Sequence, residues 1–476
     1  MLDILVHRIY FFFEGGVILY VMVINTIYLL LTVLAYFSLR KHHTPFSEVQ
    51  RDALLASPLL PRISLIAPAY NEAATCKESV GNMLRLNYPN FEVVLVNDGS
   101  KDETLKVMIE EFRLFKSARV PTGSLVTKPI RRVYESTDPV RLVVIDKVNG
   151  GKADAINTGL NLATGELVMV VDSDCLIDRD ALLNMVKPYL EDPERVIAVG
   201  GTVRVVNDCD VEHGAVSTIR VSSSHIANFQ AVEYARAFLG GRVGFSLMNC
   251  LLIISGAFGL FRRDAVLEAG GFDPDTIGED MELVVRMHRI WRARQQDYRI
   301  VYVAAPVCWT EVPQSMKILH RQRKRWQRGT VESLWRHREM LGNPKFGLVG
   351  MFAFPYFALF EMLGPAVELL GYGLTAMGLV FSIIAPPIAI LFFSVSVTFG
   401  IVLSTTAVVL EEFTVRRYPS WKHSFRLFFA AIAENFGFRQ ILTWWRVQGL
   451  IEGIKGKKGG WGDMERRGFR VVGKTS

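Results

Sequence analysis

Two aspartates at the end of an apolar run could hold a cation. Asp172 and Asp174 end the segment ELVMVVDSD, residues 166–174, whose apolar part is typical of a buried strand. In extended backbone, side chains two residues apart leave on the same side, and two like charges so close repel unless a cation lies beside them. Mg²⁺ prefers one or two carboxylates together with phosphate oxygens and water. The pair therefore predicts a metal and diphosphate site or, in the ordinary alternative, an Asp-rich turn that caps a helix.

A second carboxylate pair, Glu279 and Asp280, precedes apolar residues with helical spacing, from Met281 to Met287. Acidic side chains in the first turn of a helix are favoured by the helix dipole, and this alone would explain them. A carboxylate that points into a cleft could instead accept a proton from an attacking hydroxyl as a general base. The sequence leaves both interpretations open.

Residues 320–329, HRQRKRWQRG, contain five Arg or Lys residues and one Trp. By charge alone, this stretch fits a nucleic-acid patch, a membrane-surface anchor or part of an active site. Gln322, Arg325 and Trp326 are spaced i, i+3 and i+4, so in a helix they share one face. Spacing therefore separates these three residues from the other cations.

The middle of the chain alternates short apolar runs with longer amphipathic segments, which predicts a parallel sheet with helices on both faces. The predicted strands are residues 63–67, 91–97, 141–146 and 166–172. Residues 113–139 are basic and turn-rich, and we expect them to form an irregular surface insertion. Ligands bind at the carboxyl ends of such strands. Because no GxGxxG or GxxxxGK[ST] motif follows a predicted strand, we expect a nucleotide held by carboxylates.

Apolar segments near both ends of the chain predict a membrane protein. Half of the 476 residues are hydrophobic and 21% are charged. Residues 17–37 carry no charge and, at about 1.5 Å per residue, span roughly the 30 Å hydrocarbon core. The alternative, a cleavable signal peptide, lacks a cleavage site after this run. Arg40 and Lys41 predict that the carboxyl end of the span is cytoplasmic.

A longer apolar region occupies residues 346–410, enough for about three crossings with breaks at 364–365 and 385–387. The sequence leaves open whether residues 425–451 span, re-enter or lie in the interface. The predicted organisation is an N-terminal transmembrane helix at 11–39, a cytoplasmic α/β domain at 60–312, interfacial amphipathic helices at 313–345, a transmembrane region of three to four spans at 346–451 and a basic cytoplasmic tail at 452–476.

Charge and cysteine usage exclude several classes of protein. The net charge of +7 is modest for this length and is explained largely by basic membrane flanks, so we expect no nucleic-acid partner. The five cysteines contain no CxxC pair, which argues against a zinc site and a disulfide framework. Their pattern fits a reducing compartment.

Six motifs occur in order along residues 61–330: PAYNE, NDGS, GGKADAINTGL, DSD, GED and QRKRW. This ordered set resembles a family 2 glycosyltransferase with a GT-A fold, the Rossmann-like fold of nucleotide-diphospho-sugar transferases. The last motif, Gln-x-x-Arg-Trp, resembles the signature of the membrane-embedded processive members, the cellulose, chitin, hyaluronan and poly-N-acetylglucosamine synthases. Gly278 departs from the Thr that is usual before the Glu-Asp pair in two of these groups.

The resemblance implies roles for individual residues. Ala67, Tyr70, Glu72, Asp98, Lys152 and Asp172 would bind the nucleotide of a UDP-sugar donor. Asp174 would hold Mg²⁺ or Mn²⁺ against the diphosphate, and Asp280 would be the base that deprotonates the acceptor hydroxyl in one inverting displacement. The expected contacts to acceptor and diphosphate are Ser255, Gly256, Glu279, Gln322, Arg325 and Trp326.

Within the basic stretch, Arg325 suits a diphosphate because it can bind bidentately. Trp326 suits the apolar face of a sugar ring, where burial of roughly 100 Å² would contribute about 2.5 kcal/mol at most. The remaining cations are expected to face anionic lipid head groups: Arg321, Arg323, Lys324 and Arg328.

The apolar region and the tail carry further expectations. Glu361 and Glu368 are expected to line, or lie close to, a polymer exit, or else to pack against Arg439 or Arg446. The tail motif GGWGDMERRGF resembles a Trp-Gly motif of hyaluronan and chitin synthases and could cover the nucleotide as a lid through Trp461, Arg466 and Arg467. We expect no cyclic-dinucleotide-sensing PilZ module, which makes cellulose a less favoured product.

The leading interpretation is a processive synthase, multi-pass in the inner (plasma) membrane, that polymerises a UDP-sugar at the cytoplasmic face and extrudes the growing polysaccharide. UDP-N-acetylglucosamine is the first expected donor, and accessory membrane or export subunits are possible partners. One alternative is a transferase that adds a single sugar to a polyprenyl phosphate or glycolipid. The other is a membrane scaffold without enzymatic activity, which leaves the ordered carboxylates unexplained.

Overall fold

The computed structural model describes residues 2–42, 48–137, 141–212, 215–415, 421–456 and 470–471. In these ranges the chain forms an α/β domain whose carboxyl-terminal side continues into long apolar helices, with one more such helix at the amino terminus. The strands are Ile63–Ala69 (β1), Phe91–Asn97 (β2), Phe115–Lys116 (β3), Ile130–Glu135 (β4), Leu142–Lys147 (β5), Leu167–Val171 (β6), Leu176–Ile177 (β7), Val196–Val205 (β8), Asp210–Glu212 (β9), Ala215–Thr218 (β10), Phe258–Arg262 (β11), Arg299–Thr310 (β12) and Arg470–Val471 (β13).

The α-helices follow the same chain order. They are Leu2–His42 (α1), Glu48–Leu55 (α2), Cys76–Met83 (α3), Thr104–Glu111 (α4), Lys152–Leu162 (α5), Ala181–Glu191 (α6), His225–Ala235 (α7), Val243–Leu247 (α8), Arg263–Glu268 (α9), Glu279–Ala293 (α10), Met316–Arg336 (α11), Phe354–Tyr356 (α12), Gly364–Val380 (α13), Pro386–Val415 (α14), Trp421–Ala433 (α15) and Phe438–Ile454 (α16). A π-helical segment, Arg236–Arg242, joins α7 to α8.

The main sheet has the strand order β3-β4-β5-β2-β1-β6-β11-β8-β12-β7. Its centre, β5-β2-β1-β6, is parallel, as the four apolar runs predict. These strands are buried on both faces because helices such as α5 cover them. Gly159 allows α5 to approach the sheet closely, since a Cβ there would lie 2.5 Å from Cγ2 of Ile66. The predicted α/β fold class is confirmed.

The expected irregular insertion at residues 113–139 is wrong in part. Its second half forms β4, which pairs antiparallel with β5 and extends the sheet, and β3 pairs with β4. The burial pattern of β4 explains why the sequence did not predict this strand. Within it, Val133 alone is buried, and Arg131 and Arg132 are exposed. A polar strand at the side of a sheet lacks the apolar run that marks a central strand.

Among the described residues, two helical stretches are long and apolar enough to cross a membrane, His7–Arg40 and Pro386–Glu412. A third crossing results if Val349–Met362 and Gly364–Val380, which meet at a 45° bend, form one broken span. The chain breaks helices at Gly364 and before Pro386, where the sequence predicted interruptions. The expected three to four spans between residues 346 and 451 stay a prediction.

The two acids of this apolar region pair with cations of α16. Arg446 lies 3.4 Å from Glu361, and Arg439 lies 3.7 Å from Glu368. Tyr28 of α1 donates to Glu361 and Thr443 donates to Glu368. The packing alternative therefore accounts for both acids, and their place along an exit path remains a prediction.

Helix α11 is wedged between the α/β domain and α16, so most of its cations are not available to lipid. Arg323 is 3% exposed and pairs with Glu233 at 2.7 Å. Lys324 pairs with Glu452 at 2.6 Å, and the buried Arg328 with Glu332 at 3.3 Å. The expectation that these three face lipid head groups is wrong, because tertiary partners bury or neutralise them. Arg321 is exposed, as that expectation requires.

Candidate active site

The polar clusters predicted at the strand ends do meet at one side of the sheet. Tyr70 follows β1, Asp98 follows β2 and Asp172 follows β6, and these three strands are adjacent and parallel. The first residue of α5, Lys152, joins them across the cleft. Carboxyl ends of parallel strands are where α/β sheets bind ligands, so this is the candidate active site.

The residues after β6 form a compact carboxylate site. Ligand atoms of Asp172, Asp174 and Cys175 all lie within 4.8 Å of one another. The strand ends at Val171, so the two aspartates approach through a turn and not through the extended backbone that the sequence predicted. Asp174 is nearly buried, 4% exposed. Two carboxylates at this separation fit a divalent cation that also takes phosphate oxygens.

Lys152 connects this site to the carboxylates of α10. Its Nζ lies 2.8 Å from Oδ1 of Asp172 and 3.1 Å from Oε1 of Glu279. Burial would lower the pKa of the Lys152 ammonium, but the two carboxylates outweigh burial and raise that pKa. Burial also raises the pKa of the Glu279 carboxyl, although Lys152 opposes this shift. Lys152 is therefore a fixed positive charge in the cleft.

Asp98 holds the loop that carries Lys152. Its carboxylate accepts hydrogen bonds from the backbone N–H groups of Gly150 at 2.9 Å and Gly151 at 2.8 Å. The ammonium of Lys147, which is fully buried, lies 2.8 Å from Asp98 and 2.5 Å from Asp154. Asp98 thus organises the Gly150–Lys152 turn, and its predicted contact with a base stays a prediction.

Asp280 lies where α10 meets the predicted acceptor segment. Its Oδ2 accepts a hydrogen bond from the N–H of Gly256 at 2.8 Å, and its Oδ1 accepts one from Met281 at 2.8 Å. The Gly256 carbonyl in turn accepts from Lys152 at 3.2 Å. A Cβ on Gly256 would come within 3.1 Å of both Asp280 Oδ2 and Lys152 Nζ. The structure therefore brings Gly256 and Asp280 together, and the acceptor contacts that the resemblance implied for Ser255 and Gly256 stay a prediction.

The predicted face of α11 reaches the same cleft. Burial lowers the pKa of Arg325, and the nearby carboxylates of Glu279, Asp172 and Asp280 oppose that shift. Trp326 is 42% exposed, with the Arg323 guanidinium 4.3 Å from its ring centre. Gln322 lies on this face too, and its buried Oε1 has no hydrogen-bond partner among the described residues. One helix thus presents an amide, a guanidinium and an aromatic plate.

The structure also shows the surroundings of three other residues predicted to bind the nucleotide, Ala67, Tyr70 and Glu72. Ala67 is fully buried in the hydrophobic core, and its predicted contact with the nucleotide stays a prediction. Tyr70 is 37% exposed at the end of β1, and Glu72 accepts a hydrogen bond from Thr75 at 2.6 Å. The predicted lid residues Trp461, Arg466 and Arg467 lie outside the described residues.

Sequence reasoning missed Lys147 and the cluster of Glu233, Tyr234 and Arg323 around Trp326. The ring centres of Tyr234 and Trp326 are 6.5 Å apart, and Glu233 anchors the Arg323 that lies over Trp326. The available signal for Lys147 was a cation that directly follows the apolar run Leu142–Ile145 and Asp146. No local pattern marks residues 233–234, because they meet α11 only through the fold.

Comparison with known proteins agrees with this geometry. Residues 126–329 match the family described as "Glycosyltransferase like family 2", and residues 64–121 match "Glycosyl transferase family 2". The chain carries a family 2 glycosyltransferase domain. Together the two matched ranges contain the strands and motifs of the candidate active site, and they confirm the predicted family and enzyme class.

Two similar proteins are synthases of the same polymer. The chain is 30% identical over 274 residues to the poly-beta-1,6-N-acetyl-D-glucosamine synthase of Staphylococcus epidermidis. The aligned region covers 58% of this chain and 56% of that protein. The chain is also 30% identical over 278 residues to the synthase of the same name from Staphylococcus aureus strain COL, with the same coverage. The chain therefore aligns with a little over half the length of these relatives.

Among solved structures, the glycosyltransferase domain resembles a mannosyltransferase from Pyrobaculum calidifontis in complex with GDP-Man and Mn²⁺. The TM-score is 0.50 at 19% identity, and the match covers 93% of this chain and 100% of that one. At this identity the likeness supports the GT-A type of fold alone.

Proposed function

We propose that the chain is an inverting glycosyltransferase at the cytoplasmic face of the inner membrane, which polymerises a UDP-sugar. UDP-N-acetylglucosamine is the proposed donor, since the named relatives are synthases of an N-acetylglucosamine polymer. The observation that carries the proposal is that Gly256 bonds to both Asp280 and Lys152, donating its N–H to the first and accepting at its carbonyl from the second. A base, an acceptor platform and a cation for phosphate thereby face one cleft.

Asp280 would act as the general base. The acceptor hydroxyl oxygen attacks the anomeric carbon of the donor, its proton passes to the Asp280 carboxylate, and the bond from that carbon to the diphosphate oxygen breaks to release UDP. The N–H of Gly256 fixes Asp280 Oδ2, and the N–H of Met281 fixes Oδ1, so the carboxylate is oriented before substrate arrives. Attack opposite the leaving group inverts the anomeric centre.

Cationic groups would stabilise the leaving diphosphate. Lys152 pairs with Asp172 and Arg325 interacts electrostatically with it, so both cations would oppose the negative charge that grows as UDP departs. Asp174, with Asp172, would hold Mg²⁺ or Mn²⁺, and a bound divalent cation would neutralise diphosphate charge. The carboxylate separation supports this assignment.

Polymerisation is supported by the half-exposed Trp326 and by the apolar helices beside the domain. An aromatic plate on the helix face that carries Arg325 can hold the last sugar of a growing chain while the next donor binds. Addition of a single sugar to a lipid would use the same donor chemistry, so the size of the product separates the two reactions.

The test is Asp280→Asn in detergent-purified protein. We expect UDP release to fall by about a hundredfold or more, because the base is lost, while UDP binding is retained. Asp275→Asn is the matched control, since Asp275 is an exposed acid of the preceding loop. Substantial turnover of Asp280→Asn would remove it from the base role.

The same assay identifies donor and product. UDP-N-acetylglucosamine, UDP-glucose and UDP-glucuronate are compared by UDP release and by the length of the labelled product. Long chains from UDP-N-acetylglucosamine are expected. A product that carries one added sugar would show the single-addition reaction instead.

A further inference from the structure

The segment that precedes the carboxylates of α10, residues 273–279, lies along α11. Glu332 of α11 accepts a hydrogen bond from the backbone N–H of Ile277 at 3.0 Å and one from the hydroxyl of Thr276 at 3.3 Å. Ser333 donates to the carbonyl of Gly278 at 3.5 Å. Asp273, at the start of the segment, forms an ion pair with Arg336. The segment is thus tied to α11 along its whole length.

Two glycines bring the backbones of the two elements close together. A Cβ on Gly278 would lie 3.1 Å from the Cα, the carbonyl carbon and the carbonyl oxygen of Gly329. A Cβ on Gly329 would lie 3.0 Å from the Cα of Gly278. Both obstacles are backbone atoms, which cannot rotate away as a flexible side chain can. A side chain at either position would therefore push the segment away from α11.

The contacts fall on one face of α11. Arg325, Gly329, Glu332 with Ser333, and Arg336 are spaced three or four residues apart, which places them in line along a helix. Arg325 begins this face and interacts electrostatically with Glu279 and Asp280, and the later residues bind the chain that leads to them. The line of contacts fixes where the first turn of α10 begins relative to α11.

We propose that Gly329 and Glu332 are positioning residues for Asp280. The close Gly278–Gly329 contact sets the distance between the segment and α11, and the Glu332 carboxylate sets its register through Ile277. Asp280 lies two residues beyond Gly278, so a displacement of the segment moves the carboxylate relative to Gly256 and to the acceptor. The inference rests on the proposed role of Asp280 as base.

Nucleotide binding should depend on this contact less than the base does. Asp172 and Asp174 belong to the turn after β6, and Lys152 begins α5, so the sheet and not α11 places them. Glu279 links the segment to Lys152 at 3.1 Å. A positioning role therefore predicts that kcat falls by a larger factor than the donor KM or the Kd for UDP changes. A general structural role would lower stability and change both constants together.

The experiment compares Gly329→Ala and Glu332→Ala with two controls. We expect each variant to lower kcat about tenfold, because a shift of the base by a fraction of an ångström is costly to catalysis. Glu332→Gln should recover most of the activity, since its amide oxygen can still accept from Ile277. The double variant Gly278→Ala/Gly329→Ala should have a kcat no lower than that of the more impaired single variant, because both substitutions act through one contact.

The controls change the same residue types where these contacts are absent. Gly81 lies in α3 with no atom within 4 Å of an added Cβ, so Gly81→Ala should keep full kcat. Glu339→Gln alters an exposed acid that pairs with Arg289. Thermal unfolding of every variant is measured in the same detergent.

The outcomes separate the two proposals. Unchanged kcat in Gly329→Ala and Glu332→Ala, with Asp280→Asn inactive, would overturn the positioning role alone. The same holds if the donor KM and the unfolding temperature change together with kcat. Full turnover of Asp280→Asn would remove the proposed base and the positioning role with it.

Discussion

Lys147 illustrates how one buried residue can organise an active-site loop that it does not itself enter. It is fully buried at the end of β5 and neutralises both Asp98 and Asp154. Asp98 in turn binds the N–H groups of Gly150 and Gly151, directly before Lys152. The position of the Lys152 ammonium between Asp172 and Glu279 therefore depends on the buried ammonium of Lys147.

Lys147→Met should lower the free energy of unfolding by about 3–5 kcal/mol, because two buried carboxylates lose their partner. Denaturant titration in detergent measures this change. Lys77→Met is the matched control, since Lys77 pairs with Glu111 on the surface and should contribute no more than about 1 kcal/mol. A change of equal size in both variants would contradict the role given to Lys147.

Removal of divalent cations should stop UDP release, and added Mn²⁺ should restore it. Asp174→Asn should weaken Mn²⁺ binding, followed directly by electron paramagnetic resonance, because one of the two carboxylates near β6 is neutralised. Asp275→Asn should bind Mn²⁺ as the unaltered protein does. Activity that persists in EDTA would contradict the metal assignment.

At the scale of elements, close packing depends on small residues at particular helix positions. Gly159 lets α5 approach β1, and Gly449 lets α16 approach α11, where a Cβ would lie 2.7 Å from the Lys324 carbonyl. Helix α11 is held on its other side by Gly278 and Gly329. The helix that carries Arg325 and Trp326 is therefore fixed between the catalytic domain and α16.

Gly159→Ala should destabilise the protein by about 1–3 kcal/mol, since the added methyl group overlaps the Ile66 side chain in a packed core. Gly81→Ala, in the open helix α3, should be neutral or stabilising by up to about 1 kcal/mol. Thermal unfolding of the two variants decides between them. If Gly159→Ala and Gly81→Ala unfolded at the same temperature, the contact between α5 and Ile66 would have to relax without cost.

At the scale of the whole molecule, buried ion pairs join the catalytic domain to the apolar helices. Arg204 of β8 pairs with Glu411 of α14 at 2.8 Å, and Arg236 pairs with Glu434 at 2.7 Å. The two ends of α1 contact different parts of the molecule: Tyr10 packs with Leu374 and Ile384, whereas Leu31 packs near Gly244. The turn between α13 and α14 thus lies at the end of α1 that is remote from the catalytic domain.

This arrangement predicts labelling from opposite sides of the membrane. Val126 is 99% exposed on the catalytic domain, and Phe381 is 70% exposed in the turn after α13. In intact cells an impermeant maleimide should label Phe381→Cys, whereas Val126→Cys should require permeabilisation. The five native cysteines are buried, so the unaltered protein serves as the background. Labelling of Val126→Cys in intact cells would contradict the cytoplasmic location.

Local pattern was sufficient for the central strands and for the helical face of Gln322, Arg325 and Trp326. Apolar runs marked β1, β2, β5 and β6 because strands buried on both faces are predominantly apolar. The same criterion missed β4, whose exposed Arg131 and Arg132 read as loop. Local pattern also gave the order of the motifs, and that order identified the family.

The sequence by itself determined the family, the parallel centre of the sheet and which residues share a helix face, because these depend on spacing along the chain. The tertiary structure decided which partner each face meets. Arg323 lies 90 residues from its partner Glu233, and Gly278 meets Gly329 through the fold of two separate helices. Periodicity tells which side chains point the same way, but burial, ion pairing and backbone contact depend on elements that only the fold brings together.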